Sequence, residues 1–199
     1  MTVAVLFALE REAAPFRLAA RELMHVSIHV SGVGRERARC AAERLCDARP
    51  ELVVAAGFCG ALVPSLRVGD VVKSPRILTV DHLVTDPAEK CRLGESHDAV
   101  DMESAAVEAV CADNGVRFLA VRAVSDTVDT ALSPELVRLL SGGNVSLRKA
   151  CGTLLQKPRL LGEFLRLARD TKLAARNLSD ALVNVINDET RARRARVSG

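Results

Sequence analysis

From Val3 to Asp126, apolar runs of strand length alternate with segments patterned for helices, which is the signature of a sheet covered on both faces. The spacing predicts strands at Val3 to Leu9, His25 to Ser31 and Leu52 to Ala56, the last running into Gly57-Phe58-Cys59-Gly60-Ala61-Leu62. Two short strands, Val68 to Val72 and Ile77 to Val80, are separated only by a tight Ser74-Pro75-Arg76 connection, and Phe118 to Val124 is a further buried strand. A helix from about Arg35 to Ala48 carries Ala38, Ala41, Ala42 and Leu45 on one face. A second helix is opened by Asp101-Met102-Glu103-Ser104.

The last quarter has a different pattern. Ser141-Gly142-Gly143-Asn144 and Lys157-Pro158 break the chain, and a long helical repeat follows over 159–186. Leu161, Phe164, Leu165, Ala168, Leu178, Leu182 and Val185 form its apolar stripe. Arg159, Arg166, Arg169, Lys172 and Arg176 make it cationic elsewhere, and residues 189–199 read as a basic tail with Arg191, Arg193, Arg194 and Arg196. A helix docked on the sheet with a solvated basic face is one reading. Contact with an anionic lipid surface is the other.

Composition bounds the rest. The 199 residues, 49% hydrophobic and 27% charged, suit one domain over 1–188 with a core of ordinary size. Apolar runs fall far short of the roughly 20 residues that cross a bilayer, and Met1-Thr2-Val3-Ala4-Val5 lacks the basic start of a secretory signal, so a cytoplasmic location is expected. Cys40, Cys46, Cys59, Cys91, Cys111 and Cys151 include no C-x-x-C pair and no companion histidines, which predicts reduced, mostly buried thiols and no metal site. A net charge of +3, no Trp or Tyr and five Phe argue against a nucleic-acid partner.

Two stretches carry candidate chemistry. Ala106, Val107 and Val110 lie three, four and seven positions beyond Glu103, so Glu103 shares the apolar face of its helix. A glutamate in a first turn can also simply favour the helix dipole. Ser125 and Asp126 end the Phe118 strand, the end at which open α/β sheets bind ligands, and Gly57 and Gly60 let backbone approach a ligand closely.

Five motifs then occur in order: Ala8-Leu9-Glu10-Arg11-Glu12, Ser31-Gly32-Val33-Gly34, Gly57 to Leu62 with Val68 to Val72, Val100 to Ala105, and Arg122 to Asp126. In these the chain resembles the nucleoside phosphorylase superfamily, most of all its methylthioadenosine/S-adenosylhomocysteine nucleosidases. The resemblance implies a three-layer αβα sandwich around a mixed, mostly parallel sheet, here shortened in the middle. It also implies cleavage of the N-glycosidic bond of a purine nucleoside, with adenine the expected base, by a homodimer that needs no cofactor.

Residue by residue, Asp126 matches the acid that protonates the purine at N7, and Glu12 matches the base that activates water. Glu103 matches the glutamate that binds ribose hydroxyls and favours developing positive charge on the sugar. Met102 then packs on the sugar, Leu83 and Val84 match the segment that contacts the purine, and Phe58, Cys59 and Gly60 line the site. Arg122 and Ser125 are expected to orient the Asp126 loop, or Arg122 to be structural. His82 is expected to be incidental.

Departures from the pattern set the alternatives. Ala55 and Phe58 stand where phosphorylases place an arginine and a serine for phosphate, which favours water as the nucleophile. The nucleosidases, however, have a small polar residue in place of Phe58. Relatives also carry several dozen residues where Lys73 to Arg76 alone remain. The shortened middle and the basic amphipathic helix are similar to the hopanoid-associated branch, which removes adenine from a lipid-linked nucleoside and could sit peripherally on a membrane. An inactive purine-binding or assembly protein on the same scaffold is the alternative of another class.

Overall fold

The computed structural model describes residues 1–131, 133 and 158–197. Seven strands form one sheet: β1 (Val3–Phe7), β2 (Val26–Val30), β3 (Leu52–Ala61), β4 (Val71–Lys73), β5 (Ile77–Thr79), β6 (Ala99–Asp101) and β7 (Arg117–Asp126). β1 lies between β2 and β3, parallel to both, and β7 runs parallel to β3 on the other side. β4 pairs antiparallel with β7, and the last residues of β3, Gly60 and Ala61, pair antiparallel with β6, which carries β5. The carboxyl ends of β1, β3 and β7 therefore meet at one edge of the sheet.

Alternation along the strands builds three layers. Val3, Val5 and Phe7, with Leu52, Val54, Ala56, Val121 and Ala123, face α1 (Glu10–Ala19) and α5 (Pro158–Val197), which contribute Ala13, Phe16, Ala174, Leu178, Leu182 and Ile186. On the opposite face Ala4, Leu6, Val53 and Ala55 meet α2 (Arg35–Asp47) and α4 (Ser104–Asp113) through Ala38, Ala42, Leu45, Val107 and Val110. The small-residue face predicted for α2 and the apolar face predicted beyond Glu103 are the faces that pack. α3 (Pro87–Leu93) covers the β6 end, where Asp86 caps it by accepting the Ala88 N–H.

Several boundaries differ from the sequence reading. β1 stops at Phe7 because the Glu12 carboxylate accepts the Leu9 N–H at 2.9 Å, making Leu9 the start of α1. The glycine motif is strand throughout, since β3 continues to Ala61 along β7. β4 begins at Val71 rather than Val68, and β5 ends at Thr79. β6 went unpredicted because Ala99-Val100-Asp101 has no apolar run of its own and leads straight into the motif that opens α4; pairing with β3 and β5 makes it a strand.

The long helix does not end at 186. It runs to Val197, through the expected basic tail, and is tied down there by Arg117 to Glu189 at 2.7 Å and Arg193 to Glu51 at 2.6 Å. Its apolar stripe is buried only in the second half: Leu178 and Leu182 are fully buried, whereas Leu165 is 59% and Leu173 46% exposed, and Ala168 is exposed too. The breaks at 141–144 and 157, the side chains of Arg159 and Leu161, and Cys151 lie outside the described residues. Leu182→Ala is expected to cost roughly 3 kcal/mol in chemical denaturation and Leu165→Ala less than about 0.5 kcal/mol. Equal costs would show that the first half of α5 is packed as firmly as the second.

Candidate active site

Glu12 sits in the second half-turn of α1, directly after β1, and is 4% exposed. Its two carboxylate oxygens accept N–H bonds from Leu9 at 2.9 Å and from Phe58, in β3, at 3.2 Å. Burial pushes the Glu12 carboxyl above the ordinary carboxylate range, while the Arg122 charge and these two N–H groups pull the other way. Glu12 is thus oriented as an acceptor yet made more ready than a surface glutamate to hold a proton.

Arg122 is the charge at the centre. Its side chain is 2% exposed, with Nη2 at 2.7 Å from Asp101 Oδ2 and 3.9 Å from Glu103 Oε2. It also donates to Ser104 Oγ at 3.1 and 3.3 Å. Burial works against its charge, but Asp101, Glu103 and Glu12 outweigh that and the net shift is upward. Arg122 therefore serves the Asp101 to Ser104 segment and the two glutamates. The bonds that orient Asp126 come from elsewhere.

Asp101 and Thr79 serve the first N–H groups of α4, Thr79 Oγ accepting from Ala105 at 3.0 Å. The start of α4 is capped by Asp101, which accepts the Ser104 N–H at 3.2 Å and the Thr79 hydroxyl at 2.6 Å, while Glu103 makes no capping bond of its own. Glu103, 8% exposed, instead accepts the Gly34 N–H at 2.9 Å, across the site from the loop after β2. A cavity of about 10 Å³, roughly the room of one water molecule, lies between Ser31, Ala56, Glu103 and Arg122.

The glycines of β3 make space for side chains. A Cβ on Gly57 would lie 2.4 Å from Arg122 Nη1 and 3.2 Å from Glu12 Oε2, and one on Gly60 would lie 3.1 Å from Asp126 Oδ2. Gly57 thus admits the Arg122 and Glu12 cluster, and Gly60 admits Asp126. Gly57→Ala is expected to cost roughly 1–3 kcal/mol by thermal or chemical denaturation. A change within a few tenths would mean that Arg122 has room to retreat.

Asp126 ends β7, opposite Gly60, where the register shifts between Cys59 and Gly60. Ser125 Oγ lies 2.9 Å from Asp126 Oδ1 and 3.2 Å from the Cys59 carbonyl. Lys90 of α3, fully buried, forms an ion pair with Asp126 Oδ2. Three residue steps of strand separate Gly57 from Gly60, about 10 Å. Two groups of charged residues are accordingly held along one strand: Glu12 and Glu103 with Arg122, then Asp126 with Lys90 and Ser125.

The remaining expected residues are placed as follows. Phe58 and Met102 are half-buried, Cys59 is buried with its thiol pushed up by burial, and Leu83 is 47% exposed. The Val84 side chain packs with Leu62 and Val100. His82 is exposed and bonds to Asp81 at 2.9 Å and Glu89 at 3.0 Å. Among the described residues no three His, Cys, Asp or Glu side chains are grouped to hold a metal, and no helix is long and apolar enough to cross a membrane. Asp101 and Lys90 escaped the sequence reading. Asp101 stood in a quoted motif without a role, and nothing in the sequence around Lys90 marked it.

The fold is similar to solved nucleosidases. Over 94% of this chain and 98% of theirs, Helicobacter pylori 5′-methylthioadenosine/S-adenosylhomocysteine nucleosidase superposes with a TM-score of 0.69 and 14% identity, and H. pylori futalosine hydrolase with 0.70 and 14%. The Neisseria meningitidis methylthioadenosine/S-adenosylhomocysteine nucleosidase, bound to methylthio-immucillin-A, gives 0.66 and 18% over 94% of this chain and 99% of that one. At such identities the likeness is one of fold. The sequence itself matches the family model of the phosphorylase superfamily over residues 8–90 and 73–141, stretches that contain Glu12, Arg122, Glu103 and Asp126 and overlap over 73–90. With the two charged groups lying inside a match that spans most of the chain, the protein belongs to the phosphorylase superfamily.

Proposed function

We propose that the protein hydrolyses the N-glycosidic bond of a purine nucleoside, with adenine as the preferred base. The observation that carries this reading is Glu12: a buried carboxylate, aimed by two backbone N–H groups, at the same strand end as a second buried carboxylate and one shared arginine. A binding scaffold needs no such group, because holding an acceptor-only side chain out of water is costly.

Bond breaking puts positive charge on the sugar and negative charge on the leaving base. Glu103 is placed to accept from ribose hydroxyls and to stabilise the sugar cation. Glu12 takes a proton from the attacking water as its oxygen bonds to C1′, and Asp126 delivers a proton to purine N7. The spacing of the two clusters along β3 suits a sugar at one and a base at the other.

Electrostatics favours water over phosphate. The Arg122 guanidinium is matched by Asp101 and faces Glu103 and Glu12, so it offers no spare charge to a dianion, which three carboxylates repel. Chromatography of free base released from methylthioadenosine, S-adenosylhomocysteine and adenosine, with and without phosphate, tests the proposal. Release independent of phosphate is expected. Release only with phosphate overturns the choice of nucleophile, and none from any purine nucleoside overturns the function.

A second reading concerns the 5′ substituent. Residues 162–173 of α5 include none that is buried, and Leu165 and Leu173 stand exposed among Arg166, Arg169 and Lys172. An amphipathic segment with exposed leucines among cations suits a nucleoside carrying a lipid, as in the hopanoid-associated branch. Co-flotation with anionic vesicles, lost on Leu165→Glu with Leu173→Glu, is the expected result; no co-flotation removes this reading.

A further inference from the structure

Lys90 is the most completely buried lysine-carboxylate partner in the site, and the reaction scheme above does not use it. Its ammonium has three N–H donors, and each has an acceptor: Asp126 Oδ2, the Thr127 carbonyl at 2.9 Å and the Thr130 carbonyl at 3.3 Å. Thr127 and Thr130 close a turn on each other, with Thr130 N–H to Thr127 carbonyl at 3.0 Å and their hydroxyls at 2.9 Å. One cation thus holds both the carboxylate at the end of β7 and the turn that follows it.

The helix that presents Lys90 is itself anchored. Asp86 caps its start, and at its end Gly94 lies so close to the Leu62 carbonyl that an added Cβ would sit 2.3 Å from that oxygen. Leu62 follows β3 directly. Lys90 therefore reaches Asp126 from a support seated on the same strand end that carries Gly60.

We propose that Lys90 is the positioning residue for the acid, an inference that rests on the nucleosidase reading. Asp126 takes up a proton from solvent before each turnover, and because Lys90 occupies Oδ2 that proton sits on Oδ1, from which it is given up to the base. Ser125 is compatible with this, because its single hydroxyl proton can turn to the Cys59 carbonyl whenever Oδ1 is protonated. In the step itself the C1′ to N9 bond breaks and its electron pair passes to the purine. The proton moves from Asp126 Oδ1 to N7, and the negative charge left on Asp126 is offset by the fixed ammonium.

The test compares Lys90→Met, Asp126→Asn and the double variant on two substrates. One is the purine nucleoside; the other is 4-nitrophenyl riboside, whose leaving group departs as a stable phenolate without protonation. Lys90→Met is expected to slow purine release on the order of 10²-fold, as loss of acid catalysis does, and to change nitrophenolate release by less than about threefold. The double variant is expected to release purine at the rate of Asp126→Asn alone, because Lys90 acts only through Asp126.

Equal losses on both substrates, or losses that multiply in the double variant, overturn the proposal and mark Lys90 as a structural clamp. Should Lys90→Met fail to fold with Asp126 left unpaired, the double variant, which removes both charges, still decides against Asp126→Asn. An unsubstituted protein that releases no purine refutes the functional reading and this role together; an active one with equal losses refutes only the role of Lys90.

Discussion

Glu12→Gln is expected to lower purine release by about 10²–10⁴-fold, the contribution of a positioned general base, while binding of free adenine survives. The amide keeps the size of the side chain and cannot take a proton from water. The pH profile gives an independent check. Glu12 works as the carboxylate, and burial holds its carboxyl above the ordinary range, so activity should fall on acidification through a value higher than that of a surface glutamate.

Stability should move in the opposite sense. A carboxyl whose folded-state value is raised stabilises the fold fully below its unfolded value, and that contribution is lost as pH rises through the folded one. Denaturation of the unsubstituted protein should therefore show a loss over this window that Glu12→Gln lacks. Purine release by Glu12→Gln within tenfold of the unsubstituted protein would remove Glu12 from the mechanism.

Arg122→Met is expected to cost about 3–5 kcal/mol in chemical denaturation, the cost of leaving buried charge unmatched. Three carboxylates depend on this one guanidinium: Asp101 at 2.7 Å, Glu103 at 3.9 Å, and Glu12, which feels its charge. Methionine fills much of the same volume, so the loss reports charge rather than a cavity. Acidification should narrow the gap between the two proteins, because protonating the carboxylates relieves the repulsion that remains in the variant. A cost under about 1 kcal/mol would show that water reaches these groups and screens them.

The outer architecture was legible in the chain because it depends on local patterning. β1 and the apolar segment of β3 read as strands from their runs, and α2 showed its packed face at Ala38, Ala41, Ala42 and Leu45. The acidic residues stood out by motif, Glu12 after the first strand and Asp126 at the end of the last, and both lie at the carboxyl edge of the sheet. β6 and α3 were not legible, since neither carries an apolar run or helical period of its own, unlike the equally short β4 and β5, and both take their form from neighbours.

By itself, the order of residues determined the layers and the family and marked Glu12, Glu103 and Asp126 as candidates, because periodicity and motifs are properties of adjacent positions. Tertiary structure decided which charges meet. It brought Asp101 to Arg122 across β6 and β7 and Gly34 to Glu103, and it carried Lys90 to Asp126, 36 residues along the chain. It also left residues 162–173 of α5 without a buried side chain although the apolar stripe continues through them. An ion pair between distant residues leaves no periodic trace, since its strength depends on separation and burial, and both exist only once the sheet has formed.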